Sequence, residues 1–174
     1  MANFGIRMRR NNTSILLTFL TAVLFAPVAF AASLLEIQLP NGETKTFSRE
    51  NLESLPQSEV VRKSGNNSET HYSGPTLGAL LAQCGVAIGD KMKGDEIRFV
   101  LLASGADGYS VALSMAEVEP SISEGKIIVA LKRDDTALSA TEGPLRLALE
   151  KDQRPVRWVK NLVRIVVSNA TQAK

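Results

Sequence analysis

The sequence predicts a strand-rich α+β domain made of mixed sheets and a few short helices. Two observations carry this. Short runs of alternating apolar and polar residues recur from residue 34 to residue 167, and glycine, proline and asparagine punctuate them at close intervals. The helix-like patterns between them are brief, each with a capping residue before it and a breaker after it.

Residues 34–39 and 44–47 alternate on either side of Pro40-Asn41-Gly42, a hairpin signature. Ser48 caps a short helix that runs through Leu52 and ends at Pro56. Residues 59–62 read as a strand, 65–69 as a polar loop and 71–73 as a further short strand before Gly74. Pro75 and Thr76 open the next helix, with Leu77, Leu80 and Leu81 on one face and Gly85 as its stop. Strands follow at 97–103, 109–113, 126–131, 145–149 and 162–167, with helical turns at 115–118. Asp107-Gly108 and Asp134-Asp135 fall in turns, and Trp158 packs in the core beside Leu145 and Leu162.

Ahead of this domain, Arg7, Arg9 and Arg10 precede an apolar run from residue 15 to residue 25, and Ala29-Phe30-Ala31 follows Pro27. Basic n-region, apolar h-region and small-residue cleavage site together make a signal peptide over residues 1–31, cut between Ala31 and Ala32. The apolar run is too short for a spanning helix, which needs about 20 residues. Asn11-Asn12-Thr13 after the arginine pair argues for export of the unfolded chain rather than twin-arginine export. The expected product is one domain over residues 32–174, periplasmic or secreted, with no membrane attachment after cleavage.

The leader holds three of the 20 basic residues and none of the 18 acidic ones, so the remainder carries a net charge of about −1. That balance gives no electrostatic case for nucleic-acid binding. Cys84 is the one cysteine, so no intramolecular disulfide is available. It ends an amphipathic helix, where a buried structural thiol is the expectation. No metal-ligand spacing, phosphate loop or nucleophile with a histidine partner stands out, and no catalytic or metal-binding residue is expected.

The order of several segments resembles a known family, the oxidoreductase molybdopterin-binding domain of the sulfite oxidase superfamily. The matching segments are Leu52-Glu53-Ser54-Leu55-Pro56 with Glu59-Val60-Val61, Ser73-Gly74-Pro75-Thr76-Leu77, Asp107-Gly108-Tyr109-Ser110, Glu142-Gly143-Pro144-Leu145-Arg146-Leu147, and Arg154-Pro155-Val156-Arg157-Trp158-Val159-Lys160. The resemblance covers residues 34–167. The resemblance implies a sulfite oxidase-like fold and, in catalytic members, a cysteine thiolate on molybdenum, a soft ligand suited to that metal. Aligned on Gly65-Asn66, that cysteine falls on Lys63 and the arginine that follows it in the family falls on Asn67. The link from Asn67 to Gly74 is shorter than the family's, and the loop at 150–154 is short as well.

By the same resemblance, Arg62, Lys63, Asn66, His71, Tyr109, Arg154, Arg157 and Lys160, together with Arg146, come from segments that meet at the cofactor site. They form a candidate anion or ligand cleft, since guanidinium forks suit carboxylate, sulfate and phosphate. The alternative is ordinary surface charge along strand edges. Tyr109 either offers its hydroxyl to an oxyanion or is a strand tyrosine with its ring in the core and its hydroxyl on the backbone. His71, the sole histidine, lines the pocket or is simply solvated. The expected function is a non-catalytic exported module, without cofactor, that binds a small anion or a periplasmic protein partner. The alternatives are a molybdopterin-dependent oxidoreductase with an altered ligand set, and an accessory or sensor subunit.

Overall fold

In the computed structural model the chain divides into two units, Met1–Phe30 and Ala31–Lys174. The described residues are Met1, 33–65 and 68–172, so the expected leader and its cleavage point lie outside them, Met1 apart. Among the described residues no helix is long and apolar enough to cross a membrane.

The first hairpin forms where the alternation predicts it. β1 (Leu35–Gln38) and β2 (Thr44–Phe47) pair antiparallel, and Gly42 at φ 85 takes the left-handed conformation that their turn requires. The Ser48 hydroxyl then accepts from the Asn51 N–H while the Asn51 side chain accepts from the Ser48 N–H. This reciprocal cap starts α1 (Arg49–Ser54).

β3 (Gln57–Lys63) and β4 (Glu69–Pro75) are both longer than the sequence predicts. They pair residue for residue from Gln57 opposite Pro75 to Lys63 opposite Glu69. Backbone ladders continue through polar positions that hydrophobic alternation does not mark. Pro75 therefore ends a strand instead of opening a helix. Thr76 is the N-cap of α2 (Leu77–Gln83), accepting from the Ala79 N–H, and Gly85 at φ 87 stops the helix. Leu77, Leu80, Leu81 and Cys84 are buried beneath it, as expected.

β5 (Phe99–Gly105) starts two residues later than predicted, because Ile97 lies in a 3-10 turn over Glu96–Arg98. β6 (Ser110–Ser114) leaves Tyr109 just outside the strand, and α3 (Met115–Val118) follows at the expected place. β7 (Ile127–Ala130), β8 (Lys132–Arg133), β9 (Thr136–Ala137), β10 (Arg146–Leu149) and β11 (Leu162–Asn169) complete the described strands. Asp134 and Asp135, both at positive φ, make the two-residue turn between β8 and β9.

Three sheets result. The largest has the order β2-β1-β11-β5-β6 and is mixed, since β1 runs parallel to β11 and the other pairs are antiparallel. A second has the order β3-β4-β8-β9, and β10 pairs with β7 in a ladder buried at every position. The chain from Trp158 to Leu162 runs along the other edge of β10, where the Leu147 N–H donates to Val159 O and the Leu162 N–H to Leu145 O. One apolar cluster joins the inner face of the large sheet (Leu35, Ile37, Leu101, Ile165), the leucines of α2 and the β7–β10 ladder.

Glu119 is one of three buried charged side chains among the described residues. It is fully buried just past α3, and its carboxylate accepts from the Gly89 N–H at 2.6 Å and the Ser121 N–H at 3.0 Å. Those two bonds hold its pKa below the ordinary carboxylate value. A depressed folded-state pKa adds stability above the unfolded-state value, and that increment is lost as pH falls through the folded one. Glu119→Ala is expected to cost about 2 kcal/mol at neutral pH, the scale of hydrogen bonds to a charged group. Denaturation curves recorded from neutral pH into acid check this: the gap between variant and wild type should narrow on acidification, and a gap independent of pH would refute it.

Candidate functional site

The face of the β3–β4 hairpin toward Tyr72 leads to a buried polar cluster. Tyr72 sits opposite Val60 on β3 and opposite Arg133 on β8, so these side chains share a face with Arg62, two residues from Val60. Tyr72 is 1% exposed, and its ring meets that of Trp158 edge-on with centroids 5.1 Å apart. The Arg146 guanidinium carbon lies 5.2 Å from both ring centroids.

Arg146 is itself only 4% exposed. Its Nη1 donates to Glu142 Oε1 and, at 3.3 Å, to the Tyr72 hydroxyl. The other oxygen of Glu142 accepts from Arg133 Nη1 at 3.2 Å, so one carboxylate serves two guanidinium groups. Arg146 Nε is buried and has no hydrogen-bond partner among the described residues. Burial raises the Tyr72 pKa, while Arg146, Arg133 and Arg62 pull the other way through their charges. The phenol therefore stays protonated and hydrogen-bonds toward Glu142 at 3.5 Å.

The candidate cleft residues divide among several places. Arg62 belongs to the Tyr72 face, whereas its neighbour Lys63 projects to the opposite face with Glu59, Glu69 and His71. There Lys63 Nζ lies 3.4 Å from Glu69, and His71 Nδ1 lies 2.7 Å from Glu59, whose carboxylate holds the imidazole above its usual pKa. Asn66 lies outside the described residues. Arg157 is committed to its own acids: Nη1 bonds Glu117 at 2.6 Å, and Nη2 and Nε bond Asp152 at 2.6 and 3.2 Å. Those carboxylates, Asp152 first, push its pKa further up and occupy the fork an external anion would use.

Tyr109 matches neither sequence expectation in full. Its ring is 45% exposed, outside the core, yet its hydroxyl donates to the Val156 carbonyl at 2.5 Å. This bond, with one from the Ala106 N–H to Asn161 O, ties the turn before β6 to the segment around Pro155–Arg157. Arg154, Val156 and Lys160 are exposed, and neither cation is in an ion pair among the described residues. Tyr109, Arg154 and Lys160 are thus each exposed, and Lys63 and His71 lie on the outer face of the hairpin.

Sequence reasoning missed Tyr72, Arg133 and Glu142, and it placed Arg146 in an open cleft. The correction for Arg146 has a plain cause: β10 is covered on both faces, so no position of that strand reaches solvent. Glu142 stands in a segment that carries the family resemblance, but its pairing is not marked there, because two of its partners lie 9 and 70 residues away.

The described residues do not fit a molybdenum centre ligated by cysteine thiolate. The one cysteine, Cys84, is 6% exposed at the C-cap of α2, and burial pushes its thiol up to about 11. Among the described residues no three His, Cys, Asp or Glu side chains are grouped to hold a metal ion.

No curated protein matches the chain by sequence. A solved structure, the sulfane dehydrogenase SoxCD from Paracoccus pantotrophus, superposes with a TM-score of 0.57 at 19% identity, over 77% of this chain and 37% of that chain. The similarity supports the sulfite oxidase-like fold, and the chain spans little more than a third of that relative. The family described as "Oxidoreductase molybdopterin binding domain" matches residues 34–174, with every element above inside its span. The chain belongs to the oxidoreductase molybdopterin-binding domain family.

Proposed function

We propose that this chain is an exported, non-catalytic member of its family that works by binding a small anion or a protein partner outside the cytoplasm. The observation that carries the reading is the β3–β4 hairpin. Lys63, aligned with the family's thiolate, is exposed and sits at the end of a ladder that closes at once through a bond from the Ser64 N–H to Ser68 O. An ammonium group cannot replace a thiolate on molybdenum. The binding surface in this reading is made by Tyr109, Val156, Arg154 and Lys160, which combine exposed apolar area with cations in no ion pair among the described residues, a combination suited to an acidic partner. Export rests on the leader pattern of residues 1–31.

Family membership favours a second reading, an oxidoreductase that holds molybdopterin through a different ligand set. An accessory or sensor subunit working through the same surface is the third. Elemental analysis for molybdenum and a pterin assay on protein purified from its native compartment separate the first two. Neither group is expected, and near-stoichiometric molybdenum would overturn the non-catalytic reading. Restoring the thiolate by Lys63→Cys is expected to yield no turnover of sulfite or a sulfoxide, because that side chain points away from the Tyr72 face and the link from Asn67 to Gly74 is shorter than the family's. Measurable turnover by K63C would refute it.

A further inference from the structure

Four strands end the two larger sheets, and three of them are guarded. β2 is four residues long and carries Lys45, β3 carries Glu59, Arg62 and Lys63, and β9 is two residues long. Shortness and charge are common means of keeping an open edge from pairing with another chain. β6 is the exception, since its sequence Ser110-Val111-Ala112-Leu113-Ser114 contains no charge, proline or glycine. The Gly105 N–H donates to Tyr109 O at 2.9 Å, and the β5–β6 ladder bonds alternate residues from there. Val111 and Leu113 therefore turn their backbone groups to β5, and Ser110, Ala112 and Ser114 turn theirs outward. The Ser114 N–H is taken by the Glu117 carboxylate at 2.8 Å. Ser110 and Ala112 are exposed, and their backbone N–H and C=O groups have no partner among the described residues.

We propose that the β6 edge is an interface with a second copy of this chain, in which the two β6 strands pair antiparallel about a two-fold axis at Val111 and join the two large sheets into one. In that register Ser110 of each copy faces Ala112 of the other, and each such pair exchanges both of its backbone bonds. Every open donor meets an open acceptor, and the Ser114 cap stays intact. Tyr109, with its ring 45% exposed, falls opposite Leu113 of the partner subunit on the same face of the sheet, so the contact also covers apolar area. The neutrality of the strand selects this occupant. It meets itself with no like charges opposed, whereas an edge shaped for a charged partner would carry the complementary sign. A contact of one short strand pair lies at the low end of specific interfaces, which sets a dissociation constant on the order of 10–100 µM. The dimer does not rest on the non-catalytic reading, which the molybdenum analysis tests separately.

Sedimentation velocity on protein purified from its native compartment, over about 5–500 µM, reads the dimer directly. Wild type is expected to pass from monomer to dimer across that range. Thr46→Lys, which adds a charge to the far edge of the same sheet, should pass with it. Ala112→Lys sets like charges near the axis and should raise the dissociation constant about tenfold or more. Ala112→Pro removes an N–H that the β5–β6 ladder does not use, and should abolish the dimer while the monomer stays folded. Wild type that remains monomeric at about 500 µM would leave the edge to a strand of another protein and overturn the proposal. A dimer that both Ala112 variants leave unchanged would overturn it too. If those variants fail to fold, hydrogen exchange on wild type alone decides. The Ser110 and Ala112 amides should lose about fivefold of their protection on dilution from one end of that range to the other, while the Val111 amide, bonded to β5, keeps its own. Exchange at Ser110 and Ala112 that is independent of concentration overturns the interface.

Discussion

Gly74→Ala is expected to be among the most damaging single substitutions in the domain, lowering its melting temperature by about 10 °C or more. A Cβ on residue 74 would run into the carbonyl oxygen of Val129, with Val129 C at 2.8 Å and Ala130 Cα at 2.9 Å. All three are backbone atoms, so no side chain can turn aside to relieve the clash. Nor can the strands part, because β4 is fixed to β7 and its extension on either side of the contact. The Leu131 N–H donates to Ser73 O at 2.8 Å, and Thr76 bridges to Ile128. Forcing the strands apart would break those bonds and open the packing above them, at a cost of about 3 kcal/mol. Gly78, four residues on inside α2, is the control. Its added Cβ would find Val118 O at 3.5 Å, an ordinary contact, and alanine is the better helix former. Gly78→Ala should therefore change stability by less than about 1 kcal/mol in either direction. Thermal melts of the two variants side by side test the argument, which fails if they fall equally.

Gly74 also shows where sequence legibility ends. Its place in Ser73-Gly74-Pro75-Thr76-Leu77 was readable as the lead into a helix, and the helix, its Thr76 cap and its Gly85 stop all followed. The reason for the glycine was not readable, because it is the approach of a strand more than fifty residues later in the chain. The same division runs through the fold. Elements set by local chemistry, such as the β1–β2 hairpin, the Ser48 cap and α3, were legible from spacing and capping residues. Strand limits at Lys63, Pro75 and Phe99 were not, since backbone pairing with a distant partner fixes them.

The site was legible in its family resemblance and illegible in its contacts. Arg146 reads in the sequence as a candidate cleft residue, yet Trp158 and Tyr72 cover it. Arg157 looks like a free anion-binding fork until Glu117, forty residues earlier, is seen to fill it. Both errors arise because a charge in sequence says nothing of the opposite charge that the fold delivers.

The buried pair of Arg146 and Glu142 sets the second large effect, and a double variant reveals its nature. Glu142→Ala leaves Arg146, only 4% exposed, beside Arg133 with no carboxylate between them. Breaking a buried pair from one side costs about 3–5 kcal/mol, most of it the desolvation of the charge left behind. Arg146→Met should cost less, because Glu142 keeps the half-exposed Arg133 as a partner at 3.2 Å. Replacing both, as Arg146→Met with Glu142→Leu, removes the desolvation penalty along with the attraction, and the methionine can lie between the Tyr72 and Trp158 rings. The double variant is therefore expected to be more stable than Glu142→Ala by about 2 kcal/mol or more. Urea denaturation in chloride buffer free of sulfate and phosphate measures all three. A double variant as unstable as Glu142→Ala would mean that the pair contributes shape and specific hydrogen bonds to the β10 region, and that its charge is incidental. The expected order would instead mean that this domain keeps an ion pair it does not need for stability, because the desolvation of the two charges cancels their attraction.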